Sequence, residues 1–475
     1  MFEKPTLRSL VAVFVCILCY SEATAGEKIK FYFNKPVDNS VSTGTNAVYL
    51  NNSLGDTLIA YINRARYTLD IAVYNFTATA PVGPAIAVAV NNALARGVRI
   101  RWIYDGGQSN SGVPLLNTAI NRLASPTTSD YTIMHNKFMV VDALSANPED
   151  AIVWTGSANW NTQQFNNDYN NVVIIQDKPL AMAYRAHFNQ MWGDTGIAPN
   201  MTLSKFGQFK TDGGAHSFVV EGRVVQVYFS PADGTNAQIQ AAINTADKDL
   251  YFGMYTFTDD GDADAIAAKS GIGVYAAGIV DEYTVSVTGS EYATLSTALG
   301  ARLKVLGGSD LYHSKMLIVD PSDTCADPLV LTGSHNWTAS ANTSNDENTL
   351  IIHSPVAANI YYQAFKKDYE SMSGTLAAVG GCNTGINGPG VPLAGDNLRV
   401  GVSEGVIDIQ FSTGSFGYAG VRVLNSTGVT VYTEVMNTHG GAVHSRVAVP
   451  CPGIYFVSVP LPDGHRPLVR TVSVY

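Results

Sequence analysis

Met134-His135-Asn136-Lys137-Phe138-Met139-Val140-Val141-Asp142 is followed by Gly156-Ser157-Ala158-Asn159-Trp160. The same pattern returns as Tyr312-His313-Ser314-Lys315-Met316-Leu317-Ile318-Val319-Asp320, followed by Gly333-Ser334-His335-Asn336-Trp337. Each copy reads His-x-Lys-x-x-x-x-Asp, then a loop, then Gly-Ser-x-Asn-Trp. The apolar run from Lys137 to Val141 predicts a strand buried on both faces.

Working outward, the surroundings of the two copies also repeat. Leu58 to Thr77 lies over Ile239 to Thr258 without a gap, so that Ile62 meets Ile243, Tyr74 meets Tyr255 and Phe76-Thr77 meets Phe257-Thr258. Val98 to Asp105 lies over Val274 to Asp281, and Ile29 to Phe33 is echoed by Val225 to Phe229. Apolar residues at helical spacing predict helices around Leu58–Ile62 and Ala85–Ala95, with strands at Leu69–Phe76 and Val98–Asp105 between and after them. Alternating strands and helices imply an α/β fold: duplicated α-β-α units with mostly parallel or mixed sheets, related by a pseudo-twofold. Val356 to Ser371 is expected to be a further helix.

The chain has 475 residues, which is long for a single core and predicts several domains. Lys4 and Arg8, the apolar run Leu10–Tyr20 and Ala23-Thr24-Ala25 read as an export leader, too short to span a bilayer. The expected organisation is a leader over 1–25, a first half over 26–195, a second over 196–373, a linker over 374–397 and a small all-β sandwich over 398–475. The sandwich is predicted from period-2 runs such as Val421-Arg422-Val423-Leu424. The mature protein is expected to be secreted or at the cell surface. Cys325, Cys382 and Cys451 remain after the leader is removed, and their pairing is left open. They form no metal-ligand pattern, and no cofactor or metal is expected.

Charged residues are 14% of the chain and the formal charge is −10. An acidic chain has little long-range attraction for phosphate polymers, which lowers the expectation of nucleic acid without removing it.

On an extended segment His and Lys two apart share a face. Each copy therefore presents an imidazole and an ammonium together, while Asn136 and Ser314 point away. With Asn159 and Asn336 added, the set suits a phosphodiester. Lys and Asn hold the non-bridging oxygens and stabilise transition-state charge. One His attacks phosphorus and the other protonates the leaving oxygen. Both half-sites lie in one chain, so a monomer suffices.

These two copies resemble the paired His-x-Lys-x4-Asp motifs of the phospholipase D superfamily, over roughly Ile29 to Leu350. The resemblance implies His135 and His313 as the catalytic pair and Lys137, Lys315, Asn159 and Asn336 as phosphate-binding residues. Asp142 and Asp320 are implied to support the fold, with Ser157, Ser334, Asp168 and Glu347 behind the reacting groups. The family usually places a Glu after the second Asn. Asn345-Asp346-Glu347-Asn348 supplies it, whereas Tyr169 stands there in Asn167-Asp168-Tyr169-Asn170. The expectation is that Glu347 keeps His313 protonated as the acid, while His135, with only Asp168 as a candidate partner, is the nucleophile. The tail resembles the carboxy-terminal sorting modules of proteins exported by Bacteroidetes.

The resemblance implies a phospholipase D-type phosphodiesterase working through a phosphohistidine, with phospholipid as substrate and transient contact with a membrane surface. A nuclease of the same superfamily and an inactive surface protein that binds phosphate ligands are the alternatives. Trp160, Trp337 and the Arg99-x-Arg101 pair are read as structural, the arginines as a solvated strand face, and His335 is expected to point away from the site.

Overall fold

The computed structural model describes residues 27–128, 131–322 and 327–379, and the strands between 397 and 474. The leader, all five cysteines and most of the linker lie outside the described residues. The described residues up to Val379 form one compact unit and the described strands between 397 and 474 a second.

In the first unit the strands are β1 (Ile29–Phe33), β2 (Val48–Tyr49), β3 (Thr68–Val73), β4 (Arg99–Tyr104), β5 (Asn121–Ala124), β6 (Lys137–Val141), β7 (Ile152–Gly156) and β8 (Asn171–Ile175). The duplicate supplies β9 (Ser217–Val220), β10 (Arg223–Ser230), β11 (Asp249–Met254), β12 (Tyr275–Asp281), β13 (Leu303–Leu306), β14 (Lys315–Val319), β15 (Leu329–Gly333) and β16 (Glu347–His353). The helices are α1 (Leu54–Arg64), α2 (Val82–Ala95), α3 (Thr162–Asn166), α4 (Lys178–Trp192), α5 (Thr235–Asn244), α6 (Asp260–Gly271), α7 (Glu282–Ser286), α8 (Tyr292–Leu299), α9 (Ala339–Thr343) and α10 (Pro355–Ser371).

Two eight-stranded sheets result, ordered β2-β1-β8-β7-β6-β3-β4-β5 and β13-β12-β11-β14-β15-β16-β10-β9. Both are mixed. The crossovers through α2 and α6 make β3–β4 and β11–β12 parallel, while β6–β7–β8 and β14–β15–β16 run antiparallel. The reason is connection length: a helix of 12 or 14 residues returns the chain to the same end of the sheet, and the links around β7 and β15 hold no such helix.

The sheets face each other across α4 and α10, and their inward residues share one core that includes Phe138, Tyr184, Met316, Tyr361 and Phe365. Outer faces are covered separately, by α1 and α2 on one side and by α5, α6 and α8 on the other. Cap chemistry sets the inner helices. Asp177 accepts from the Leu180 N–H to start α4, and Gly193 ends it in the left-handed region at φ 73°. Ser354 caps α10 in the same way. Among the described residues no helix is long and apolar enough to cross a membrane.

The second unit has a three-stranded sheet and a four-stranded sheet. Leu398, Ile407 and Val447 of one and Val421, Val423 and Val457 of the other share a core, as a sandwich requires.

Candidate active site

Each motif begins where its strand begins. Lys137 pairs in register with Val73 and Lys315 with Met254, so each His lies two residues before the first paired residue of its strand. Aspartates at the ends of β4 and β12 fix these entries: the Met134 N–H donates to Asp105 Oδ2 and the Tyr312 N–H to Asp281 Oδ2, both at 2.7 Å. The Lys137 and Lys315 ammoniums each donate at 2.6 Å to the carbonyl of their own motif histidine. Tyr74 closes against His135 with ring centroids 4.8 Å apart, and Tyr255 against His313 at 5.2 Å. As alternation required, Asn136 and Ser314 face inward, Asn136 to His187 and Asn348, Ser314 to the Tyr169 carbonyl.

The halves interlock through the segment that follows each Asn. The His135 N–H donates to the Asp346 carbonyl at 2.9 Å, and the Tyr169 N–H to the Leu311 carbonyl at 2.8 Å. Each histidine is thus oriented by the other half. Glu347 lies 2.8 Å from His135 Nδ1, and Asn170 Oδ1 lies 3.1 Å from His313 Nδ1. This corrects two expectations. Glu347 serves His135 rather than His313, and the residue equivalent to Glu347 is Asn170 rather than Tyr169. The serines show the correspondence, since Ser334 donates to Glu347 at 2.7 Å and Ser157 to Asn170 at 2.8 Å. Asp168 does not reach His135; it holds the Leu311 N–H and the Gln164 amide.

His135, His313, Asn159 and Asn336 line one open cleft of about 580 Å³. The Oδ1 atoms of both asparagines lack a partner among the described residues. Lys137 and Lys315 lie fully buried beneath them. Burial pushes Lys137 down to about 7, and burial with the neighbouring Lys137 pushes Lys315 well down. Both histidines are driven well below their usual range, first by burial and then by the lysines. The Glu347 carboxylate offsets part of this cost at both lysines.

A family model described as "Cardiolipin synthase, PLD-like domain" matches residues 58–192 and 239–369, one match for each half. The chain belongs to the phospholipase D superfamily. Mitochondrial cardiolipin hydrolase of Drosophila melanogaster is 30% identical over 151 residues, which is 28% of this chain and 57% of that protein. The Xenopus tropicalis protein of the same name is 32% identical over 138 residues, 28% of this chain and 59% of its own. The chain spans about half to two thirds of the length of the curated relatives it matches. Phosphatidylserine synthase from Haemophilus influenzae Rd KW20 shares the fold, with a TM-score of 0.50 over 74% of this chain and 87% of that one at 14% identity.

The other motif residues of this phospholipase D-like chain lie away from the cleft. The Asp142 carboxylate accepts the backbone N–H groups of Arg66, Tyr67 and Thr68, and Asp320 those of Asp247, Lys248 and Asp249. Gly156 and Gly333 let the next strand approach, since a Cβ at either would meet a carbonyl oxygen at 2.2 Å, that of Asn171 or Asn348. Trp160 and Trp337 are wholly buried. Arg99 is exposed, but Arg101 is not solvated: it is buried against Asp70 at 2.6 Å, an ion pair that pattern reading could not anticipate.

Sequence reasoning passed over Tyr74, Tyr255, Asp105, Asp281, Asn170 and Gln164. Four of them occupy matching positions of the duplication, a signal that was present. Asn170 required the correct register after Gly156 and Gly333. Gln164, which accepts from the Asn159 N–H at 3.3 Å, has no counterpart in the second half, where α9 carries Ala341.

Proposed function

We propose that this protein is a metal-independent phosphodiesterase of phospholipase D type that hydrolyses phospholipids through a phosphohistidine on His135. The observation that carries the substrate is the lining of the cleft. Tyr74, Ile133, Tyr255, Tyr283, Val287 and Leu311 share its walls with neutral Thr256, Thr258, Thr288, Thr338 and Ser340, and among the described residues no Lys or Arg lines it. A path for a nucleic-acid backbone needs repeated cations. The similarity to mitochondrial cardiolipin hydrolases supports the same reading.

Glu347 accepts the His135 Nδ1–H, leaving the Nε2 lone pair toward the cleft. When Nε2 bonds to phosphorus the ring becomes cationic, and the carboxylate behind it balances that charge. His313 has only the neutral Asn170 amide behind it. Once a phosphodiester anion offsets the lysine charges, His313 can hold a proton, and with no carboxylate to retain it, releases it readily to the leaving oxygen. In the second step His313 takes a proton from water, which attacks phosphorus and frees His135. Lys137, Lys315, Asn159 and Asn336 stabilise the non-bridging oxygens in both steps. We further propose export by the leader and a sorting role for the tail, on the sequence pattern of each.

The test is phospholipid headgroup release and DNA cleavage, assayed side by side with chelator present. Headgroup release that His135→Ala abolishes supports the reading. DNA cleavage without headgroup release overturns the lipid assignment, and absence of both overturns the enzyme.

A further inference from the structure

The two halves differ most behind the Gly-Ser-x-Asn loops. In the first half Leu54, Val82, Ala158, Phe165 and Val172 fill one apolar core, and a Cβ added at Gly55 would meet Val82 and Phe165 at 3.0 and 3.5 Å. The corresponding residues of the second half are Thr235, Asp262, His335, Asn342, Thr349 and, for Gly55, Asn236. Thr235 and Leu54 each open their helix, Asn342 and Phe165 are each fourth in theirs, and Asp262 and Val82 each precede an inward-facing isoleucine, Ile266 or Ile86, by one turn. An apolar plug has become a polar one.

The exchange is not resolved internally. Asn236 and Asn342 both donate their amide N–H to Asp259 Oδ2, at 3.4 and 2.7 Å. Their Oδ1 atoms are left buried without a donor among the described residues, as are Thr235 Oγ1 and both carboxylate oxygens of Asp262. Asp262 is wholly buried and Thr235 is 1% exposed. Gln240 is the polar side chain that approaches Asp262. The unanswered atoms at the mouths of α5, α6 and α9 are thus oxygens that accept.

We propose that Asp259, Asp262, Asn236, Asn342 and Thr235 form a calcium-class cation site behind the loop that carries Asn336. Carboxylates, amide carbonyls and a hydroxyl on three separate helices are the hard, adaptable oxygen set that Ca²⁺ takes, whereas Zn²⁺ favours nitrogen and sulfur and Mg²⁺ demands a tighter octahedron with several waters. Burial and the neighbouring Asp259 keep Asp262 protonated, and it yields that proton to the ion, after which two carboxylates balance the divalent charge. The bound ion ties α5, α6 and α9 together. In the chain His335 stands between Ser334, which bonds Glu347, and Asn336, which lines the cleft. The ion therefore braces the second phosphate-binding loop without touching the reaction.

The other acidic cluster, Asp212, His216 and Asp233, already satisfies its own atoms: His216 bonds the Val227 carbonyl and Asp212, and Asp233 accepts the Phe229 N–H. It serves as the control.

The experiment is calorimetric titration of the chelator-stripped full-length protein with CaCl₂, with melting curves in parallel. One saturable site with Kd at or below about 1 mM is expected, with a rise in Tm. The isosteric Asp262→Asn should weaken binding at least tenfold and abolish the rise, and Asn342→Leu should do likewise. A protein with Asp212→Asn and Asp233→Asn should behave as wild type. No saturable binding up to about 10 mM Ca²⁺ would mean that the pocket holds water alone and would overturn the proposal. So would undiminished binding by Asp262→Asn. Neither readout depends on turnover, so the outcome is separate from that of the phosphodiesterase reading.

Discussion

His135 Nδ1 and the Glu347 carboxylate meet at 2.8 Å across 212 positions of sequence. His313, the partner histidine, faces an amide in the same place. The duplication built two equivalent half-sites, and one buried substitution, Glu347 against Asn170, made them chemically unequal. Glu347→Gln should leave the fold intact and lower kcat by roughly 10²- to 10⁴-fold, the range for losing a carboxylate that orients a catalytic imidazole. Steady-state kinetics with a phospholipid and a soluble phosphodiester checks this, and an unchanged kcat would remove Glu347 from the mechanism.

The roles of the histidines separate when the leaving group needs no proton. With a p-nitrophenyl phosphodiester, His313→Ala should still form the covalent intermediate and accumulate it, while His135→Ala should form none. Acid-labile phosphate mapped to His313 in the wild-type protein would reverse the assignment.

Asn170→Asp places a carboxylate against His313 Nδ1. A negative neighbour raises the pKa of an imidazole. His313 now titrates well below its usual range, so the variant should move the alkaline limb of the kcat–pH profile upward by about one unit or more. Its maximal rate should fall, because the acid then gives up its proton less readily. An unshifted alkaline limb would show that His313 is not the titrating acid.

Lys137 illustrates a cost in stability borne for binding. Its folded-state pKa of about 7 lies below the ordinary value of 10.5, because the ammonium is buried. The unfolded chain thus binds more protons between those values, and stability rises with pH across that window. Lys137→Met should therefore be more stable than wild type, with the larger gain near pH 6 and a smaller one near pH 9. Melting temperatures should differ by about 2–4 °C or more at the lower pH, and activity should be lost. A gain independent of pH would point to packing rather than charge.

Asp142 accepts three backbone N–H groups at the start of β3. Asp142→Asn replaces an acceptor oxygen with a donor and should cost about 1–3 kcal/mol of stability. The kcat per folded molecule should barely change. A large fall in kcat at unchanged Tm would place this residue in the chemistry instead.

The repeat, the alternation of strands and helices and the paired His, Lys and Asn of the two motifs were legible in the sequence because they rest on local regularities. Side-chain alternation puts His135 and Lys137 on one face, and a gapless match over Leu58–Thr77 and Ile239–Thr258 announces a duplicated fold. Which partner each histidine receives was not legible, and the expectation placed Glu347 on the wrong one. Pairing between halves depends on how two sheets dock over a shared core, and that docking brings Asp346 to His135 and Tyr169 to Leu311. The burial of Arg101 against Asp70 and the convergence of Asn236, Asp259 and Asn342 were hidden for the same reason. Periodicity reports the face a side chain takes on its own element; the identity of what meets that face is set by long-range packing, which only the tertiary structure decides.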